Sequence, residues 1–192
     1  MNDEQDMVFA ESGPGDPEAV RGPRVVAAVD GSAGSLAALR FAIEDAARRG
    51  VPVDAVIAVT SPEFWTEFNV IGRAETERMR ARLRSEAEAR VRAVVDDVTR
   101  TATGRLPEIG VRAVEGAPAN ALIRASDGAD LLVVGSRGHG GFSSVLLGST
   151  SMQCTLHATC PVTVVHSVEA KRHRLRLHRE RKTEAREPAR LG

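Results

Sequence analysis

Short apolar runs alternate with longer amphipathic stretches along most of this chain. The runs are rich in valine and alanine, and uninterrupted apolar segments of this kind are typical of strands buried on both faces of a sheet. They predict five strands, over Arg24–Val29, Val51–Val59, Ile109–Glu115, Leu131–Val134 and Val162–His166.

The stretches between these runs repeat apolar residues at the three- and four-residue spacing of a helix. The first predicted helix follows Asp30-Gly31-Ser32, ends at Gly50 and has an apolar stripe of Leu36, Leu39, Ile43, Ala46 and Ala47. The second, over about Arg73–Thr101, is expected to face inward with Met79, Leu83, Ala87, Val91, Val94 and Val98. Two shorter helices are predicted over Pro118–Ser126 and Ser149–His157.

Strands that alternate with helices of this size predict βαβ units, and therefore a parallel sheet with helices on both faces. The 192 residues leave room for one such domain with tails. Aromatic residues make up only 3% of the chain, so small aliphatic side chains must fill the core. The order of the strands cannot be read from these patterns.

The net charge is zero, but the two ends of the chain are oppositely charged. Residues 1–23 hold six acidic residues and one arginine without apolar periodicity, and we expect a disordered acidic tail. Residues 169–192 hold nine Lys or Arg and four Glu, which predicts a basic tail. Any contact of this tail with nucleic acid is expected to be weak and independent of sequence. These bounds leave residues 24–168 as the domain.

No apolar run is long enough to span a membrane, and no signal peptide is visible at the acidic N-terminus. Cys154 and Cys160 lie outside any C-x-x-C motif, and we expect both to be buried and reduced. These observations predict a cytoplasmic protein without membrane contact.

The most informative segment is Gly135-Ser-Arg-Gly138, which follows the fourth predicted strand and precedes Gly148-Ser149-Thr150 by nine residues. Glycines let the backbone come close to a ligand, and free N–H groups at a helix start point at negative charge. The segment therefore predicts an anion site, for which the phosphate tail of a nucleotide is the simplest ligand. It is not a P-loop, because G-x-x-x-x-G-K-[ST] is absent, and Ser143 replaces the third glycine of G-x-G-x-x-G.

No residue of the chain is predicted to be catalytic. His139 lies in the glycine loop, but no acid or nucleophile is near it in sequence, so we expect a solvated side chain. The histidines show no metal-ligand spacing with cysteines or acids. The only metal expected is a Mg²⁺ ion that accompanies the phosphates.

Residues 23–168 resemble the universal stress protein family, in its ATP-binding branch. The resemblance rests on four segments in the family's order, which are Val25–Ser32, Val114–Ala119, Gly135–Thr150 and Cys160–His166. It implies a single flavodoxin-like (Rossmann-like) α/β domain with strand order 3-2-1-4-5. Ligands of such sheets bind at the carboxyl ends of the strands that flank the reversal of order, here the first and the fourth.

The resemblance implies nucleotide-binding roles for residues at these strand ends. Asp30 either accepts hydrogen bonds from the ribose hydroxyls or only caps the first helix. Backbone groups near Ala58 are expected to read the adenine edge, and Val134 is expected to pack on the base. Ala28 and Val29 complete the candidates on this side, although by position they are also core residues.

On the phosphate side, Gly135, Gly138 and Gly148 are expected to let the phosphates approach the backbone. Ser149 and Thr150 are expected both to cap their helix and to hold the β- and γ-phosphates. Arg137 either reaches the phosphates or lies in solvent.

The function that this resemblance implies is regulatory: bound ATP sets a conformation, or a surface for an unknown protein partner, in a stress response. In the family the last strand, here Val162–His166, pairs across a two-fold axis, which predicts a homodimer. The alternative is an enzyme, either a slow ATPase or a nucleotide-transferring protein. Phe64, Trp65 and Phe68 form either a patch under the long helix or a lid or docking surface.

Overall fold

A computed structural model of the chain describes residues 22–60, 73–102, 104–138 and 147–167. Five parallel strands form one sheet in the order β3-β2-β1-β4-β5, which confirms the predicted flavodoxin-like fold. The strands are β1 (Val25–Ala28), β2 (Val53–Val59), β3 (Ile109–Glu115), β4 (Leu131–Gly135) and β5 (Val162–Val165). The helices are α1 (Ala33–Arg49), α2 (Arg73–Arg100), α3 (Pro118–Ala125) and α4 (Ser149–His157).

Each face of the sheet is covered by two helices and has its own apolar core. On one face α1 and α2 contribute buried side chains such as Leu39 and Val91. On the other face α3 and α4 contribute Leu122 and Cys154. Strands β1 and β4 are therefore covered on both sides, which explains why their sequences are apolar without alternation.

The two cysteines are free thiols in different surroundings. Cys154 is fully buried, and burial raises its pKa to about 11, so the thiol stays protonated at neutral pH. Cys160 is half-buried at the start of the turn into β5. The expected burial is thus confirmed for Cys154 and only in part for Cys160.

The structure corrects two of the predicted apolar stripes. In α1, Ala47 is exposed, and Ala38 and Ala42 are buried in its place. In α2, Met79 is 51% exposed, and no residue from 74 to 86 is buried. The 28 residues of α2 extend about 42 Å, whereas the seven residues of β2 extend about 23 Å. The first half of α2 therefore projects past the sheet that it would need to cover.

A buried ion network joins Arg24, Asp54 and Arg112 on the side of the sheet where the strands begin. Arg112 Nε donates to both carboxylate oxygens of Asp54 at 3.1 Å, and Arg24 Nε lies 4.0 Å from Asp54 Oδ2. Arg24 also donates to the carbonyls of Ala125 and Asp127, each at 3.0 Å. Burial lowers the pKa of Arg24, and the Asp54 carboxylate partly offsets this. The network ties the first three strands to the end of α3.

Candidate functional site

An open cavity of about 750 Å³ lies at the carboxyl ends of β1, β2 and β4, where the strand order reverses. Its volume is within the range of small-molecule sites in proteins. All eleven residues singled out in the sequence line it, namely Ala28, Val29, Asp30, Ala58, Val134, Gly135, Arg137, Gly138, Gly148, Ser149 and Thr150. That they share one cavity is a structural finding, while their contact with a ligand stays a prediction.

Strand register explains why residues so far apart in the chain meet here. Ala28 pairs with Val56 on β2, and Ala27 pairs with Val133 on β4. Extended by two residues, past the end of β1 at Ala28, the same register places Asp30 beside Ala58, and Val29 beside Gly135. The carboxyl ends of three parallel strands thus contribute one wall each to the same crevice.

Asp30 forms the turn from β1 into α1 without capping the helix. Its Oδ1 accepts a hydrogen bond from the Ser32 backbone N–H at 2.9 Å, and Gly31 adopts the left-handed φ of 86° that this turn needs. The N-cap is Ser32, whose Oγ accepts from the Ser35 N–H at 3.2 Å. The reading of Asp30 as the helix cap is therefore wrong, and its carboxylate lines the cavity instead.

The loop glycines are required for close approach and not for unusual backbone angles. A Cβ on Gly135 would lie 2.5 Å from the carbonyl carbon of Gly34, inside the contact between β4 and α1. A Cβ on Gly138 would lie 2.5 Å from Asp30 Oδ2. The glycines thus let the loop after β4 pack directly on the start of α1 and on Asp30.

Gly148 places the start of α4 against the end of β4. Its N–H donates to the Ser136 carbonyl at 2.8 Å, and Ser151 Oγ donates to the Gly135 carbonyl at 2.6 Å. Gly148 is the N-cap, and no side chain makes a capping hydrogen bond there. The prediction that Ser149 and Thr150 cap this helix is therefore wrong. The N–H groups of the first turn have no acceptor within the helix, and this turn forms part of the cavity wall.

The cavity combines an apolar lining with a few charged groups. Among the described lining residues the ionisable side chains are Asp30, Arg90 and Arg137. The Arg137 carbonyl accepts from Ser32 Oγ at 3.4 Å, so its backbone is held to the start of α1. The cavity thus has one carboxylate near the end of β1 and guanidinium groups on α2 and in the loop after β4.

Some lining residues were not singled out from the sequence. Ser35 and Ser151 fix the loop and helix ends, and Pro118 and Leu122 of α3 close the wall opposite α2. Ser151 adjoins Ser149 and Thr150, so a wider reading of that motif would have included it. Arg90 gave no signal, because it looks like any charged residue on the outer face of a helix.

Several predicted features lie outside the described residues. These are His139, the Phe64, Trp65 and Phe68 cluster, residues 1–21, and the tail beyond Ser167. Within the described part of the chain, no helix has the length and apolar character needed to cross a membrane.

The sequence profile of the universal stress protein family matches residues 23–166. A universal stress protein of Mycolicibacterium smegmatis is 35% identical over 155 residues, which cover 79% of this chain and 49% of that protein. A universal stress protein of Mycobacterium tuberculosis is 32% identical over 143 residues, which cover 74% of this chain and 48% of that protein. The chain therefore spans about half the length of the curated relatives it matches.

Solved structures show the same architecture. The universal stress protein UspA from Lactobacillus plantarum superposes with a TM-score of 0.58 at 23% identity, over 76% of this chain and 99% of that one. A universal stress protein from Archaeoglobus fulgidus gives a TM-score of 0.54 at 21% identity, over 74% of this chain and 98% of that one. At these identities the likeness shows the fold alone.

Proposed function

The chain belongs to the universal stress protein family, and we propose that it acts there as a nucleotide-dependent regulator that binds ATP. The observation that carries the proposal is the convergence of Asp30, an apolar strand-end lining and the start of α4 on one cavity. Each of these features suits a different part of a nucleotide. Bound ATP then sets the conformation, or the surface for a protein partner, through which the regulator acts in the cytoplasm.

In the proposed complex the phosphates lie between Gly138 and the first turn of α4. The backbone N–H groups of Ser149 and Thr150 donate to them, and the positive end of the helix dipole favours their charge. Because Gly148 has no side chain, the phosphates reach these N–H groups unhindered. A Mg²⁺ ion would arrive bound to the phosphates, since the described residues offer no group of three His, Cys, Asp or Glu for a metal.

The nucleoside lies toward the ends of β1 and β2 in this proposal. One oxygen of the Asp30 carboxylate accepts from the Ser32 N–H, and in this proposal the carboxylate also accepts from the ribose hydroxyls. Val134 and Leu122 offer apolar surface to the base, and the backbone at Ala58 offers polar groups to its edge. This division supports ATP as the ligand.

Regulation by binding is better supported than an enzymatic role. Hydrolysis or group transfer requires a base that positions the nucleophile. The one carboxylate among the described lining residues, Asp30, already orders the turn into α1. We therefore expect ATP to be held, with at most slow hydrolysis.

ATP is expected to stabilise the nucleotide-free protein against heat. At one hundred times its Kd a ligand adds about 2.7 kcal/mol to the free energy of unfolding. For a domain of this size the Tm should rise by roughly 5–10 °C. GTP should raise the Tm less, because guanine presents different hydrogen-bonding groups to the backbone of β2 than adenine does. A rise below about 1 °C at millimolar ATP would contradict the proposal.

Replacing Gly148 by alanine is expected to weaken ATP binding about tenfold while leaving the fold intact. The added Cβ would lie 3.5 Å from the Ser136 carbonyl oxygen, an ordinary contact, so the apo Tm should change by no more than about 2 °C. Gly110→Ala is the matched control, since its Cβ would lie 3.8 Å from the Val53 carbonyl oxygen. This position is where β2 and β3 begin, at the end of the sheet away from the cavity. ATP affinity is measured by titration. If Gly148→Ala binds ATP as tightly as Gly110→Ala and the parent do, the phosphates do not lie at the start of α4.

We expect the protein to be a homodimer that pairs along β5. This strand is at the edge of the sheet, and its four residues are all half-buried in the single chain. The Pro161 and Val165 carbonyls accept from the N–H groups of Leu132 in β4 and of Ser136 just after it, so the N–H of Val164 points to the open edge. Val164→Pro should therefore prevent dimerisation, whereas Val164→Ala removes side-chain volume and keeps the N–H. Analytical ultracentrifugation at tens of micromolar protein measures the oligomeric state of the parent and of both variants. A monomeric parent would contradict the proposed homodimer.

A further inference from the structure

We propose that Arg90 covers the nucleobase in the cavity, with its guanidinium plane stacked on the ring, and is a specificity-determining residue of the site. Arg90 is on α2 and lines the cavity together with Ala87. The inference rests on the proposed nucleotide function and assigns the base end of the ligand to this helix.

The topology separates Arg90 from the phosphate end. Helix α2 packs on β2 and β3, whereas the glycine loop follows β4. Strand β1 lies between β2 and β4, so the two ends of the cavity are about 10 Å apart across the sheet. Arg90 therefore enters from the side where Ala58 ends its strand, and the first turn of α4 enters from the other.

Arg90 is exposed, it shares the cavity lining with apolar residues, and its terminal nitrogens have no partner among the described residues. Ile57, Val59 and Ala87 line the same side of the cavity. Among the described residues, Arg90 Nε donates to the Glu86 backbone carbonyl at 3.4 Å, while the Glu86 carboxylate accepts from Arg82 Nε at 2.8 Å. No described carboxylate pairs with the Arg90 guanidinium, so it is available to a ligand.

A base is the ligand group that this arrangement fits. A guanidinium is planar, permanently charged and weakly hydrated, and it stacks on aromatic faces. An anionic group at this end of the ligand is the other candidate partner. A comparison of ATP with tripolyphosphate, which carries negative charge and no base, separates the two partners.

Arg90→Leu tests the inference when its binding of ATP and of inorganic tripolyphosphate, which has no base, is compared with that of the parent. We expect ATP affinity to fall about tenfold and tripolyphosphate affinity to stay within twofold. Arg90→Lys keeps the charge without the plane and should recover only part of the loss. Arg92→Leu is the control, since Arg92 is on the same helix, pairs with Glu88 at 3.8 Å and does not line the cavity.

Unchanged ATP affinity in Arg90→Leu overturns this inference, and an equal loss of tripolyphosphate affinity overturns it as well, because Arg90 would then contact phosphate. Full recovery by Arg90→Lys would show that charge alone acts, which also contradicts stacking. A parent that binds tripolyphosphate but not ATP, or neither, overturns the proposed function itself. The Tm of each variant should match the parent, because Arg90 is exposed.

Discussion

Replacing Asp54 by asparagine is expected to lower the free energy of unfolding by about 3–5 kcal/mol. The substitution keeps the shape of the side chain but removes the charge that Arg24 and Arg112 share. Arg24 is 2% exposed and would be left as a buried cation beside a second cation. Denaturant unfolding measures the loss directly.

The controls for this prediction separate charge burial from charge removal. Asp97→Asn removes a carboxylate that is 65% exposed and pairs with Arg100 on the surface of α2, so its cost should stay below about 1 kcal/mol. ATP affinity of the folded Asp54→Asn protein should equal that of the parent, because the network lies where the strands begin and the cavity where they end. If Asp54→Asn lowers the free energy of unfolding by less than about 1 kcal/mol, the network contributes little to the stability of the fold.

Replacing Asp30 by asparagine is expected to weaken ATP binding by about 10- to 100-fold. A hydrogen bond to a charged acceptor contributes about 1.5–3 kcal/mol, and the amide loses one acceptor for the ribose hydroxyls. The remaining carbonyl oxygen still accepts from the Ser32 N–H, so the turn into α1 is kept. The Tm of the nucleotide-free variant should therefore change little.

The matched control is Asp96→Asn, an exposed acid on α2 that does not line the cavity. Its ATP affinity should equal that of the parent. If Asp30→Asn binds ATP with the affinity of the parent, the ribose does not lie at the end of β1. Loss of stability in Asp30→Asn without loss of affinity would restrict Asp30 to its role in the turn.

The sequence predicts much of this fold because local and long-range preferences agree in it. The bounds predicted for β3 and α4 are those observed, and β1 and β2 begin one and two residues later than predicted. The family resemblance implies the strand order, and the observed pairing confirms it. The glycine spacing brought Gly135, Gly138 and Gly148 to one cavity because a parallel sheet gathers its strand ends on one side.

The features that sequence reasoning missed depend on three-dimensional distances. Helical periodicity marks one face of α2, but it does not show that the helix extends past the sheet, so it predicts an inward Met79 where the structure has an exposed one. Nothing in the pattern of β2 shows that Asp54 meets Arg112 across the register. The cap of α4 is Gly148 and not a hydroxyl residue, because Gly148 has extended backbone angles and its carbonyl accepts the first helical hydrogen bond, from the Met152 N–H at 2.9 Å.

The central claim is that this cavity binds ATP, and calorimetric titration of the nucleotide-free protein tests it most directly. The account predicts saturable binding of one ATP per chain, with a Kd on the order of micromolar and a clear loss in Asp30→Asn and Gly148→Ala. Removal of residues 169–192 should leave the titration unchanged, because all the proposed ligand contacts lie between Ala28 and Thr150. No saturable binding up to millimolar ATP, in protein shown to be folded and free of nucleotide, would contradict it.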